Sequence, residues 1–137
     1  MKKIVLTALL MSSFRCAVIA QGVTTGADRD KHGCIGSAGY TWSAIKQDCI
    51  RIFEEPIQLK EANPKESYET VAALIFNKDM KKVEVFLPQL KEGVILIRSG
   101  KAGNYTWKKG DIVLTNKGGY KLKRADTVIY VGMDKRK

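Results

Sequence analysis

The sequence predicts a mainly β protein: a small antiparallel barrel or curled meander, preceded by a disulfide-closed loop. Three observations predict it. Between residues 68 and 131, short runs rich in β-branched and aromatic residues alternate with turn-forming glycine, asparagine and aspartate. No long stretch repeats its apolar residues at helical spacing. Two cysteines, Cys34 and Cys49, bracket a glycine-rich segment just ahead of these runs.

The first twenty residues read as an export signal. Lys2 and Lys3 form a positive start, residues 4–11 an apolar run, and Val18-Ile19-Ala20 supplies the small residues of a cleavage site before Gln21. The run is too short to span a bilayer as a permanent helix. Cys16 offers an alternative as a lipid-anchored residue, but Ser13-Phe14-Arg15 lacks the small apolar residues expected before such a cysteine. The expected location is the periplasm or the extracellular space. Cleavage removes Lys2, Lys3 and Arg15, so the net charge falls from +10 to +7. Residues 21–31 are polar and aperiodic, a flexible leader. Residues 32–137 then form a single β domain, with the loop segment at 32–50 and the meander at 68–131.

An exported chain meets an oxidising compartment, which favours a Cys34–Cys49 disulfide. Closing a loop of about 15 residues stabilises by roughly 3 kcal/mol in the chain-entropy model. The other readings are unpaired structural cysteines and a metal site. Zinc would take four ligands, and the chain offers two cysteines and His32. No metal or cofactor is expected. Trp42 is expected to pack at an edge of the core.

The remaining elements follow in order. Residues 40–42 suit a short extended piece and 43–48 one helical turn capped by Ser43. A strand is expected at 49–53, a break at Pro56, and a short extended piece at 57–59. Residues 62–67 contain Asn-Pro and read as a surface loop. The strongest signal is the run at 68–76, joined by a turn at 77–79 to an alternating run at 82–87, a hairpin. Further strands are expected at 94–97, 104–107, 111–115, 120–124 and 127–131. Turns are expected at 99–103, 108–110, 116–119 and 125–126. The tail at 134–137 is charged.

Little here points to catalysis, and the chain is read as a non-enzyme. His32 is the single histidine, with Ser37, Ser43, Asp30 and Asp48 near it in sequence, but no nucleophile-elbow motif is present. Glu54 and Glu55 are adjacent, so on an extended strand they point to opposite faces. No glycine-rich loop joins a strand to a helix as phosphate binding needs. Lysines do stand out. Lys78, Lys81, Lys82, Lys101, Lys108, Lys109, Lys117, Lys121, Lys123 and Arg124 crowd the second half, and alternation must put many of them on one solvent face, with Lys101, Lys108, Lys109, Lys121 and Lys123 as the expected basic face. Such a face either only solubilises the sheet or draws anionic glycans or lipids of an envelope. Aromatic residues among the lysines also suit single-stranded nucleic acid, but export removes the chain from that partner.

Residues 71–130 resemble the bacterial periplasmic and membrane-bound inhibitors of c-type lysozyme. The resemblance rests on Ser99-Gly100, then Gly103 and Tyr105, a strand at 111–115, and Lys117-Gly118. In that family the serine and lysine of the two turns enter the lysozyme cleft and meet its catalytic carboxylates. The resemblance therefore implies a small exported barrel, a c-type lysozyme as partner, and Ser99, Lys117 and Tyr105 as the partner-binding residues. Two departures stand out: Thr115-Asn116 replaces the family's tryptophan before the lysine, and the cysteines precede the barrel.

Overall fold

The computed structural model describes residues 28–65 and 69–132. The expected signal peptide at 1–20, the leader up to residue 27 and the charged tail at 134–137 lie outside the described residues. The strands are β1 (Tyr40–Ser43), β2 (Asp48–Arg51), β3 (Gln58–Glu61), β4 (Val71–Phe76), β5 (Lys82–Phe86), β6 (Val94–Ser99), β7 (Thr106–Lys109), β8 (Ile112–Thr115), β9 (Lys121–Arg124) and β10 (Thr127–Gly132). Two single 3-10 turns cover Gly36–Ala38 and Ile52–Glu54.

Strands β3 to β10 close a barrel in chain order, all antiparallel, with β10 returning to pair with β3. Closure needs a bend. Between Val128, which faces Lys123, and Tyr130, which faces Leu122, the residue Ile129 is bulged out of register. A bulge bends and twists its strand. The freed Ile129 carbonyl accepts the Ala62 N–H at 2.9 Å, tying β10 to the end of β3.

Alternation fills the interior. Leu59, Leu74, Val83, Val85, Leu96, Trp107, Leu114 and Leu122 point inward and are buried. An eight-stranded barrel is just wide enough to be filled by such side chains. Trp107 is the largest of them, and its Nε1–H donates to the Met80 carbonyl at 2.8 Å. Phe76 meets Trp107 edge-on at 5.2 Å between ring centroids, and Tyr120 lies 5.5 Å from Phe76. This aromatic group closes one end of the interior.

The opposite faces of β4 and β5 are buried as well. Their outward residues Ala73, Ile75 and Phe86 pack with Ile45, Ile50 and Ile52 of the β1–β2 segment. The hairpin therefore lies outside the barrel wall as a second layer. A Cys34–Cys49 disulfide fastens it to the preceding loop. Residues 28–31, at the end of the expected leader, take part in that loop. Arg29 bridges Ile35, and the Asp30 carboxylate accepts the N–H groups of His32 and Cys34. Partial burial pushes the Asp30 carboxyl up, but these N–H donors outweigh it and hold it below the usual aspartate range. Trp42 is half-buried and carries His32 stacked on it at 4.3 Å.

Several expected boundaries move. Residues 43–48 form the tip of the β1–β2 hairpin, not a helical piece. The expected cap survives in it, since the Ser43 hydroxyl accepts the Lys46 N–H at 3.1 Å. The strand expected at 49–53 stops at Arg51, where Ile52–Glu54 coil into a 3-10 turn. The extended piece at 57–59 becomes β3, a full barrel strand. The run expected from 68 begins as a strand at Val71; residues 66–68 lie outside the described residues. Lys108 and Lys109 belong to β7, and the tight turn falls at Gly110 and Asp111, where Gly110 takes a φ of +58°.

Candidate functional site

In an antiparallel barrel that follows chain order, alternate connections leave the same end. The β4–β5, β6–β7 and β8–β9 connections thus share one end, here the upper end. Ser99 closes β6 there, and Lys117 sits in the β8–β9 turn. Both are exposed. The register carries Ser99 across to Thr106, Thr106 to Thr115 and Thr115 to Lys121. Ser99 and Thr115 are therefore two strand spacings apart, about 10 Å. Lys117 lies two residues beyond Thr115.

Glycine chemistry shapes both turns. Gly100 has a φ of +95°, and a Cβ there would come within 2.7 Å of the Asn104 carbonyl, so only glycine fits this close turn. Gly118 and Gly119 have φ of +71° and +103°, which lets the chain reverse immediately after Lys117 and leaves its side chain projecting. The Ser99 hydroxyl shares a hydrogen bond of 3.1 Å with the Thr106 hydroxyl. Tyr105 differs from the other two. It is half-buried, packs against Trp107 with centroids 6.3 Å apart, and has the Arg98 guanidinium over its ring at 4.3 Å. It props the β6–β7 turn from below.

The five lysines expected to share a face divide. Lys108, Lys121 and Lys123 alternate with the buried Trp107 and Leu122, so they point outward from one wall. Lys101 sits on the upper β6–β7 turn. Lys109 stands opposite Ile112 at the lower end of β7, off the wall. The register brings Lys82 onto this wall and sets aliphatic residues between the lysines: Lys82 faces Ile97, Ile97 faces Lys108, Lys108 faces Val113, and Val113 faces Lys123. Lys82, Lys108, Lys121 and Lys123 make no ion pair among the described residues.

The groups weighed for catalysis are engaged elsewhere. Ser37 donates from its hydroxyl to Asp28 at 2.8 Å, and together with the Ser37 backbone N–H this holds the Asp28 carboxyl below its usual range. Ser43 is buried and donates to Glu84 at 2.6 Å. Glu54 pairs with Arg51 at 3.1 Å and Glu55 with Lys46 at 2.7 Å. Glu54 and Glu55 border a cleft of about 450 Å³ with Phe53, Pro56, Gln58 and Tyr120, at the same upper end. Burial raises the Tyr120 hydroxyl above its usual range. Phe53, expected in a strand, lies in the 3-10 turn and is 67% exposed at the rim, an apolar residue on the surface.

Among the described residues no helix is long and apolar enough to cross a membrane. Comparison with protein-family models, with curated proteins and with solved structures returned no match.

Proposed function

We propose that the chain is an exported binding module that acts on a c-type lysozyme in the manner of the inhibitors it resembles, by occupying the cleft rather than by catalysis. One observation carries the reading. Ser99 and Lys117 are exposed on two turns that leave the same end of the barrel, with β7 alone between their strands. Turns at opposite ends would have excluded it.

The chemistry suits a cleft holding two carboxylates. Lys117 supplies a positive charge on a projecting turn, and a charge-assisted bond to a desolvated carboxylate is among the stronger short-range contacts. Ser99 supplies a hydroxyl donor. Tyr105, held by Trp107 and Arg98, keeps the first turn in place and acts as a positioning residue. Export follows from the expected signal peptide and agrees with the Cys34–Cys49 disulfide. The chain keeps a net charge of +7 after the expected cleavage, so its approach to a basic lysozyme is opposed at long range. Affinity must come from contacts made once the surfaces meet.

A lytic assay with a c-type lysozyme tests the reading. The wild-type protein is expected to inhibit. Lys117→Ala is expected to weaken inhibition about thirtyfold and Ser99→Ala about fivefold. A wild-type protein that leaves lysis unchanged, or a Lys117→Ala variant that inhibits as well as wild type, overturns it.

A further inference from the structure

One face of the barrel is covered and one is bare. The β1–β2 hairpin and the 3-10 turn after it seal the outer face of β4 and β5 with Ile45, Ile50 and Ile52. Nothing among the described residues covers the outer face of β6 to β9. Its register row alternates in chemistry at every strand: Lys82, Ile97, Lys108, Val113, Lys123, Val128. Neighbouring strands are about 4.8 Å apart, so the cations recur about every 10 Å with an aliphatic side chain between them. The next row upward reads Ser99, Thr106, Thr115, Lys121. No outward position of β6 to β9 in these two rows is acidic. Ile97 is 52% exposed at the centre of this surface.

We propose that the outer wall of β6 to β9 docks on an anionic lipid surface, with Lys108, Lys121 and Lys123 pairing with headgroup phosphates and Ile97 and Val113 entering the interface between them. Charge complementarity selects an anionic partner, since these lysines have no acid to answer them among the described residues. The interleaved aliphatic residues select a lipid surface over a soluble polyanion. A hydrated polymer gains nothing from Ile97, whereas an interface buries it. Lysine suits the role because its apolar stem lies along the surface while its ammonium reaches the phosphate. The wall is centred on the row of Ile97, Lys108, Val113 and Lys123 and reaches the upper end only at the row of Ser99 and Lys121, so it uses other lysines than Lys117. The proposal stands apart from the inhibitor reading.

Co-sedimentation of the purified protein with vesicles tests it. One set is phosphatidylcholine alone and the other carries phosphatidylglycerol, each at low and at physiological salt. The protein is expected to sediment only with the anionic vesicles, and less as salt rises. At about 1 kcal/mol for each lysine near an anionic surface, Lys108→Gln with Lys123→Gln is expected to weaken binding about thirtyfold. Lys31→Gln with Lys91→Gln removes as much charge from the hairpin side and is expected to cost little. Ile97→Asn is expected to weaken vesicle binding severalfold and to leave binding to heparin unchanged. If the paired wall variant unfolds, Lys108→Gln alone, at an exposed site, carries the same comparison at about fivefold. Equal binding to neutral vesicles, or an equal loss from the hairpin-side pair, overturns the proposal. Retained vesicle binding by Ile97→Asn overturns it in favour of a soluble polyanion.

Discussion

Replacing Glu84 with alanine is expected to lower the stability of the fold by about 3 kcal/mol or more, read from urea unfolding. Glu84 lies on the outer face of β5 yet is only 2% exposed, because the β1–β2 hairpin covers it. Its carboxylate accepts three donors from the hairpin tip: the Ser43 hydroxyl at 2.6 Å, the Ala44 N–H at 2.9 Å and the Ile45 N–H at 3.1 Å. Two of these donors are backbone groups that no substitution at position 84 removes. Alanine would leave the buried Ser43 hydroxyl and two partly buried N–H groups without an acceptor, at about 1 kcal/mol each. It would also leave a void beneath the hairpin. Glu84→Gln is the sharper probe. It keeps one acceptor and turns an amide donor toward donors, so a nearly isosteric change should still destabilise. Gly93 belongs to the same arrangement. A Cβ there would lie 2.6 Å from the Glu84 Cγ and 2.8 Å from the Phe86 Cε1, so Gly93→Ala should disturb the same contact. A Glu84→Gln protein as stable as wild type would mean that the carboxylate does not hold the hairpin.

Replacing both Cys34 and Cys49 with serine is expected to cost about 3 kcal/mol, from the closed loop of 15 residues in sequence separation. Cys34 is buried at 2% exposure, so the serine pair also places hydroxyls where a sulfur pair packed. The bond joins the loop around Asp30 to β2, and β2 is the strand whose Ile50 seals Ala73, Ile75 and Phe86. The two losses should therefore couple. Once the disulfide is gone and the hairpin is held less firmly, Glu84→Gln should cost less than it does in the oxidised protein. Additive effects would show the staple and the carboxylate to act on separate units. Loss of under about 0.5 kcal/mol on removing the disulfide would contradict the assignment of the loop as a staple.

These two sites mark where the sequence was legible and where it was not. The barrel strands from β4 onward could be read because each pairs with its chain neighbour across a short turn, so local composition and long-range structure agree. The disulfide could be read from the spacing and the expected compartment. Glu84 could not. The run from Lys82 to Leu87 alternates, and alternation assigns glutamate to the solvent face. That inference holds only for a sheet with one wet side. The outward Ala73, Ile75 and Phe86 carried the missing signal, since a strand apolar on both faces is buried on both. The lysine wall was half legible. Composition gave its charge, but only the register shows that Lys82 and Ile97 join it and that Lys101 and Lys109 do not. The β3 strand was read as a short extended piece because its partners, β4 and β10, are set by barrel closure, which no local pattern encodes. The motif alone marks Tyr105, and its packing on Trp107 is a tertiary fact that no local pattern encodes.

The claim that the upper end enters a lysozyme cleft is tested most directly by competition. A c-type lysozyme is titrated with the protein by calorimetry, alone and with a chito-oligosaccharide filling the cleft. The predicted result is that the oligosaccharide weakens association in proportion to its occupancy, and that Lys117→Ala removes most of this competition. Association of unchanged affinity with the cleft filled, or no association with the cleft open, would contradict the account.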